Sequence, residues 1–261
     1  YNGGQMMRYW APLPVYFLAL CQALAGGSEL GGYLVFVGLI LFLGAAVWLY
    51  IGSRKNRFWF GAFLGILWFF LPNNLFALFV EGNLPRSLSM VLLPLFIYSA
   101  YEFLFEDNWK ELCRLIPVFT GILLCHVGYG GMLALAMLVF LLVYRIIYRK
   151  KGYCLTLIAG MLLPFLIIGI WLYASLKGGI TSTDSSQVMQ GFFQKAVISL
   201  NPVRRLTDGV VDFYFGLAAF GIAVFGSVCS KRKSMVGFIT AVIIFICTTK
   251  AMYPLMMKLP G

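Results

Sequence analysis

The chain is a succession of apolar runs, most of them near the ~20 residues that a helix needs to cross a hydrocarbon core. Eight runs have this character: 31–53, 58–71 with an extension, 86–105, 112–127, 131–148, 153–176, 210–229 and 234–249. Hydrophobic residues make up 61% of the chain and charged ones 11%, against about 25% charged in soluble domains. No water-soluble fold of this size hides so much apolar surface. The pattern predicts an all-α integral membrane protein, a single polytopic transmembrane domain over 1–261 with about eight transmembrane helices. The chain starts at Tyr1 and stops at Gly261 just after an apolar run, so it reads as an excerpt of a longer protein.

Basic clusters orient the runs. Arg54, Lys55 and Arg57 follow the first, Lys110 and Arg114 the third, Arg145, Arg149, Lys150 and Lys151 the fifth, and Lys231, Arg232 and Lys233 the seventh. These are 12 of the 20 Lys and Arg. They sit in alternate short connections, which therefore face the cytoplasm. The same clustering explains the net charge of +11 without nucleic acid, for which no basic face with stacking aromatics is present. The six cysteines are scattered without a CxxC pair and read as small apolar residues.

The segment 11–27 is apolar and aromatic but short, carries Pro12 and Pro14, and ends in Gly26-Gly27. Either it crosses the bilayer or it lies in the outer interface, and its length, prolines and Tyr/Trp content favour the interface. Residues 1–30 then form the end of an outer loop. A second, long outer loop covers 177–209. Within it, Val188, Met189, Phe192, Phe193, Ala196, Val197 and Leu200 share one helical face, which predicts another interfacial helix over 187–200.

The second run is interrupted by Pro72-Asn73-Asn74. Proline breaks the helical ladder, and irregular backbone at membrane depth is tolerated only where protein or a wet cavity covers it. Residues 72–85 are therefore expected to dip into an outward-facing cavity, with Asn83 capping the next helix and Pro85 in its first turn.

Candidate site residues follow from this outer face. Arg86, Arg204 and Arg205 are candidates for a phosphate, which guanidinium matches bidentately; the alternative is interfacial snorkelling. Asn73 and Asn74 are candidates for substrate hydroxyls. Glu81 and His126 are weak catalytic candidates. Glu81 and Arg86 lie five apart and equally suit a local ion pair. His126 is the only histidine, in the turn Cys125-His126-Val127-Gly128-Tyr129-Gly130-Gly131, and equally suits a hydrogen bond to loop backbone. One histidine and no cysteine pair build no His/Cys metal site. No acid or base falls at the centre of a span, and no inverted repeat is evident, both of which count against a transporter.

Two stretches carry a family resemblance. Arg8-Tyr9-Trp10-Ala11-Pro12-Leu13-Pro14-Val15-Tyr16 resembles the aromatic-Pro-Leu segment of multi-spanning GT-C superfamily glycosyltransferases. Leu71-Pro72-Asn73-Asn74-Leu75, Glu81-Gly82-Asn83-Leu84-Pro85-Arg86 and Pro94-Leu95 resemble the bacterial membrane proteins of the 6-pyruvoyl-tetrahydropterin synthase-related domain. His126 in its Gly-rich turn is similar too. The resemblance covers most of 8–131. The pterin in that family name is not chemistry for this chain, since pterin synthases are soluble zinc enzymes with several histidines. The resemblance implies a GT-C-like fold in the bacterial cell membrane. It implies sugar transfer from a polyprenyl-phosphate donor to an extracytoplasmic acceptor, with membrane lipid and lipid-linked sugar as partners. It implies a catalytic acid in an outer loop upstream of Tyr1. No cofactor is evident, and a divalent metal is compatible with the superfamily. The rival readings are a transporter or lipid flippase, and a non-catalytic membrane component of polysaccharide assembly.

Overall fold

The computed structural model describes residues 11–149, 151–177 and 232–247, with the isolated positions 221, 224–226, 229 and 252. All regular structure among them is helical. The chain divides into two compact units, described separately: Tyr1–Leu135 with Lys151–Lys177, and Ala136–Lys150 with Gly178–Gly261.

In the first unit, α1 (Pro12–Leu24) is followed by α2 (Glu29–Arg54), α3 (Phe58–Phe69), α4 (Pro72–Phe79), α5 (Leu84–Glu106) and α6 (Trp109–Cys125). α7 (Val127–Tyr148) begins here, and α8 (Lys151–Ile167) and α9 (Gly169–Lys177) complete the unit. α10 (Arg232–Cys247) belongs to the second unit, as does the end of α7.

Among the described residues, three helices are long and apolar enough to cross a membrane: α2, α5 and α7. The pair α3 and α4 makes a fourth if counted as one bent span. These helices place the chain among all-α membrane proteins. The run expected at 112–127 is α6, only 17 residues long, with Pro117 inside it and Glu111 in its first turn. The run expected at 153–176 divides at residue 168 into α8 and α9. The interfacial helix expected at 187–200 lies outside the described residues with the loop that holds it, 178–209, and so does most of the run 210–229.

α1 spans 13 residues, about 20 Å at 1.5 Å per residue, short of a ~30 Å hydrocarbon core. It runs back along α2: the Phe17 and Phe36 rings meet edge-on at 5.6 Å. Leu13, Phe17 and Leu18 pack against the core, and Cys21 is fully buried, while Tyr16, Leu20 and Leu24 point outward.

α2 and α3 form a hairpin held by missing side chains. A Cβ on Gly61 would fall 2.5 Å from the Trp48 carbonyl oxygen and 2.8 Å from Gly52 Cα. A Cβ on Gly44 would sit inside the Phe69 ring. The Gly61/Gly65 pair thus brings two helices to backbone contact. α5 is the most buried helix, packed along α6 and against α2.

The facing ends of α2, α5 and α6 are tied by charge. Lys55 pairs with the buried Glu102. Glu111, 2% exposed, receives Arg114 Nη1 at 2.8 and 2.9 Å and the Ser99 hydroxyl at 3.0 Å. Arg114 also donates to the Tyr50 hydroxyl at 2.5 Å and lies over that ring.

Candidate functional site

The helix break is built from three local devices. Pro72 opens α4 at its first position, where no amide is needed, and α4 turns 63° away from α3. The turn exposes the last carbonyls of α3, and Asn74 Nδ2 donates to Trp68 O at 2.7 Å. At the other end of α4 the Tyr33 hydroxyl donates to Leu78 O. Gly82 then adopts φ +59, a left-handed conformation open to glycine at no steric cost.

Asn83 caps α5 as the sequence predicts: its Oδ1 accepts the Arg86 N–H at 3.1 Å, and Pro85 lies in the first turn. The cap places Arg86 at the third helical position. There the positive end of the helix dipole disfavours a cation. The Arg86 side chain is only 12% exposed, and its sole ion partner among the described residues, Glu81 Oε2, stands 3.9 Å away. That is beyond hydrogen-bonding distance. The same Glu81 oxygen accepts the Asn83 amide at 3.4 Å. A mostly buried guanidinium beside a helix N-terminus, with a remote carboxylate, has capacity for a further anion.

The α6–α7 corner carries the other candidate residue, His126. His126 ends α6, and its Nδ1 accepts the Tyr129 N–H at 3.2 Å, capping the start of α7. The two rings meet edge-on at 4.8 Å. A Cβ on Gly128 would come within 2.8 Å of the imidazole, and one on Gly130 within 2.2 Å of the Leu123 side chain. The Gly-rich turn therefore exists to make room for this histidine and for the crossing of α7 over α6. The ring is partly open to solvent, and the protein packed around the rest of it holds its pKa below the ordinary imidazole value. Tyr129 lies within electrostatic reach of both Arg86 and Glu81. Ser89 hydrogen-bonds Cys125.

The structure thus gathers Glu81, Arg86 and, through Tyr129, His126. Asn73 is half-buried on α4, with no side-chain partner assigned to it. Asn74, expected to meet substrate, is buried and donates to the α3 carbonyl, a structural duty that withdraws it from the site. Arg204 and Arg205 lie outside the described residues. Tyr129 was not anticipated; its spacing of three from a capping histidine is the signal that finds it. Among the described residues no group of three or more His, Cys, Asp or Glu is placed to hold a metal ion.

Sequence comparison places residues 7–261 under a family model described as 6-pyruvoyl-tetrahydropterin synthase related domain; membrane protein. Neither the curated proteins nor the solved structures give a match.

Proposed function

The chain belongs to the 6-pyruvoyl-tetrahydropterin synthase related domain family of membrane proteins, and from that premise we propose that it is a GT-C-like glycosyltransferase. In this reading it uses a polyprenyl-phosphate sugar donor and an extracytoplasmic acceptor, in a bacterial cell membrane, on a scaffold of about eight spans. The observation that carries the reading is Arg86: a mostly buried cation at a helix N-terminus whose only carboxylate among the described residues is 3.9 Å off. Such a position suits a phosphate or phosphodiester better than it suits the lone side chain. Asn83 holds the Glu81 carboxylate on the side of the guanidinium, and the Nε2–H of His126 offers one more donor.

The reading is tested by titrating a short polyprenyl phosphate into the full chain in phosphatidylcholine nanodiscs. Arg86→Ala is expected to weaken binding by about 10- to 100-fold, the range of a charge-assisted hydrogen bond. Arg86→Lys keeps the charge and loses the bidentate fit, so it falls between. Unchanged affinity in Arg86→Ala overturns the site. Undiminished binding without sugar transfer by the full-length protein favours the non-catalytic assembly component.

A further inference from the structure

The second unit contains a cavity of about 590 Å³ between the end of α7 and the start of α10. Its lining is Ile146, Ile147, Tyr148, Arg149, Met235 and Ile239. Four of the six are long apolar chains, and the other two carry a phenol and a guanidinium. The cavity is therefore amphipathic.

Two further observations bear on its occupant. The described stretches on either side of it, 136–149 and 232–247, hold Arg145, Arg149, Arg232 and Lys233 and not one Asp or Glu. Arg149 is also one of three non-glycine residues with positive φ among the described residues, at +57. It stops α7 with its N–H on Arg145 O at 2.8 Å. Glycine or asparagine fills such corners with least strain, and strain retained at a rim residue points to use of its side chain.

We propose that this cavity binds an anionic phospholipid of the leaflet that the basic loops face. Acyl carbons lie along Ile146, Met235 and Ile239, and the phosphodiester meets Arg149 with Tyr148. A basic recess between helices at the inner end of a membrane protein suits such a headgroup, and the apolar wall distinguishes a lipid from free phosphate.

The test uses the full chain reconstituted in phosphatidylcholine containing a minor share of phosphatidylglycerol, then extracted into detergent, with retained lipids identified by native mass spectrometry. The wild type is expected to retain phosphatidylglycerol over phosphatidylcholine. Arg149→Gly is expected to lower that preference on the order of fivefold, yet to melt no lower than wild type in lipid-free detergent, because glycine relaxes the corner. Ile239→Trp fills the apolar end and also loses lipid, whereas Arg149→Lys keeps most of the preference. Equal retention of the two lipids by wild type overturns the proposal. So does an undiminished preference in Arg149→Gly or Ile239→Trp, or displacement of the lipid by glycerol phosphate at matched concentration.

Discussion

With Nδ1 of His126 accepting the Tyr129 N–H, the neutral ring carries its proton on Nε2. The residue presents a donor to the site rather than a base, and protonation of Nδ1 would break the cap on α7. Because burial holds the folded pKa below the ordinary value, the folded state binds fewer protons than the unfolded one as pH falls. The stabilisation is complete above about pH 6.5 and lost as pH drops through the folded pKa. A melting series across that window should show the loss in wild type and a flatter profile in His126→Asn, which caps without titrating. At Glu81 and Arg86, a double-mutant cycle should return less than about 1 kcal/mol, as for loosely held pairs. A larger coupling would mean that the 3.9 Å separation closes into a true bridge, leaving no capacity for an anion.

Helix ends were the most legible elements. Asn83, Pro85 and the Pro72 break follow from capping chemistry that is local in sequence, and α2, α5 and α7 follow from their apolar length. What was not legible depends on partners distant in the chain. Nothing near Asn74 says that its amide serves the Trp68 carbonyl instead of a ligand, because that depends on the 63° turn. Nothing near Lys55 announces Glu102. Gly61/Gly65 is a common pattern, and only the placement of Gly52 and Trp48 gives it meaning. Two element-scale outcomes are expected from thermal melts in detergent. Asn83→Ala should cost about 1 kcal/mol, with Asn83→Ser restoring most of it. Gly61→Leu should cost several-fold more, since the backbone contact between α2 and α3 has no space to yield; a neutral Gly61→Leu would refute the close crossing.

For the molecule as a whole, the ionic cluster at the facing ends of α2, α5 and α6 puts buried charge inside an otherwise apolar unit. Removing one partner strands a buried charge, so Arg114→Leu should lower stability by about 3–5 kcal/mol. The double variant with Glu111→Gln should recover a substantial part. Single and double variants that melt alike would show that the loss is not one of charge pairing.

The Lys55–Glu102 pair also has a history in time. Glu102 follows Lys55 by 47 positions (102 − 55), a delay of about 2 to 10 s at ordinary rates of chain synthesis. During that interval α2 has emerged and Lys55 has no carboxylate to meet, so on the proposed orientation it acts as a signal holding that end of the helix on the cytoplasmic side. Once α5 arrives, the same ammonium is neutralised and becomes a clamp. Its charge directs insertion first and joins the helices afterwards, so that reversing it to glutamate would be felt during biogenesis before any folded protein existed to be destabilised.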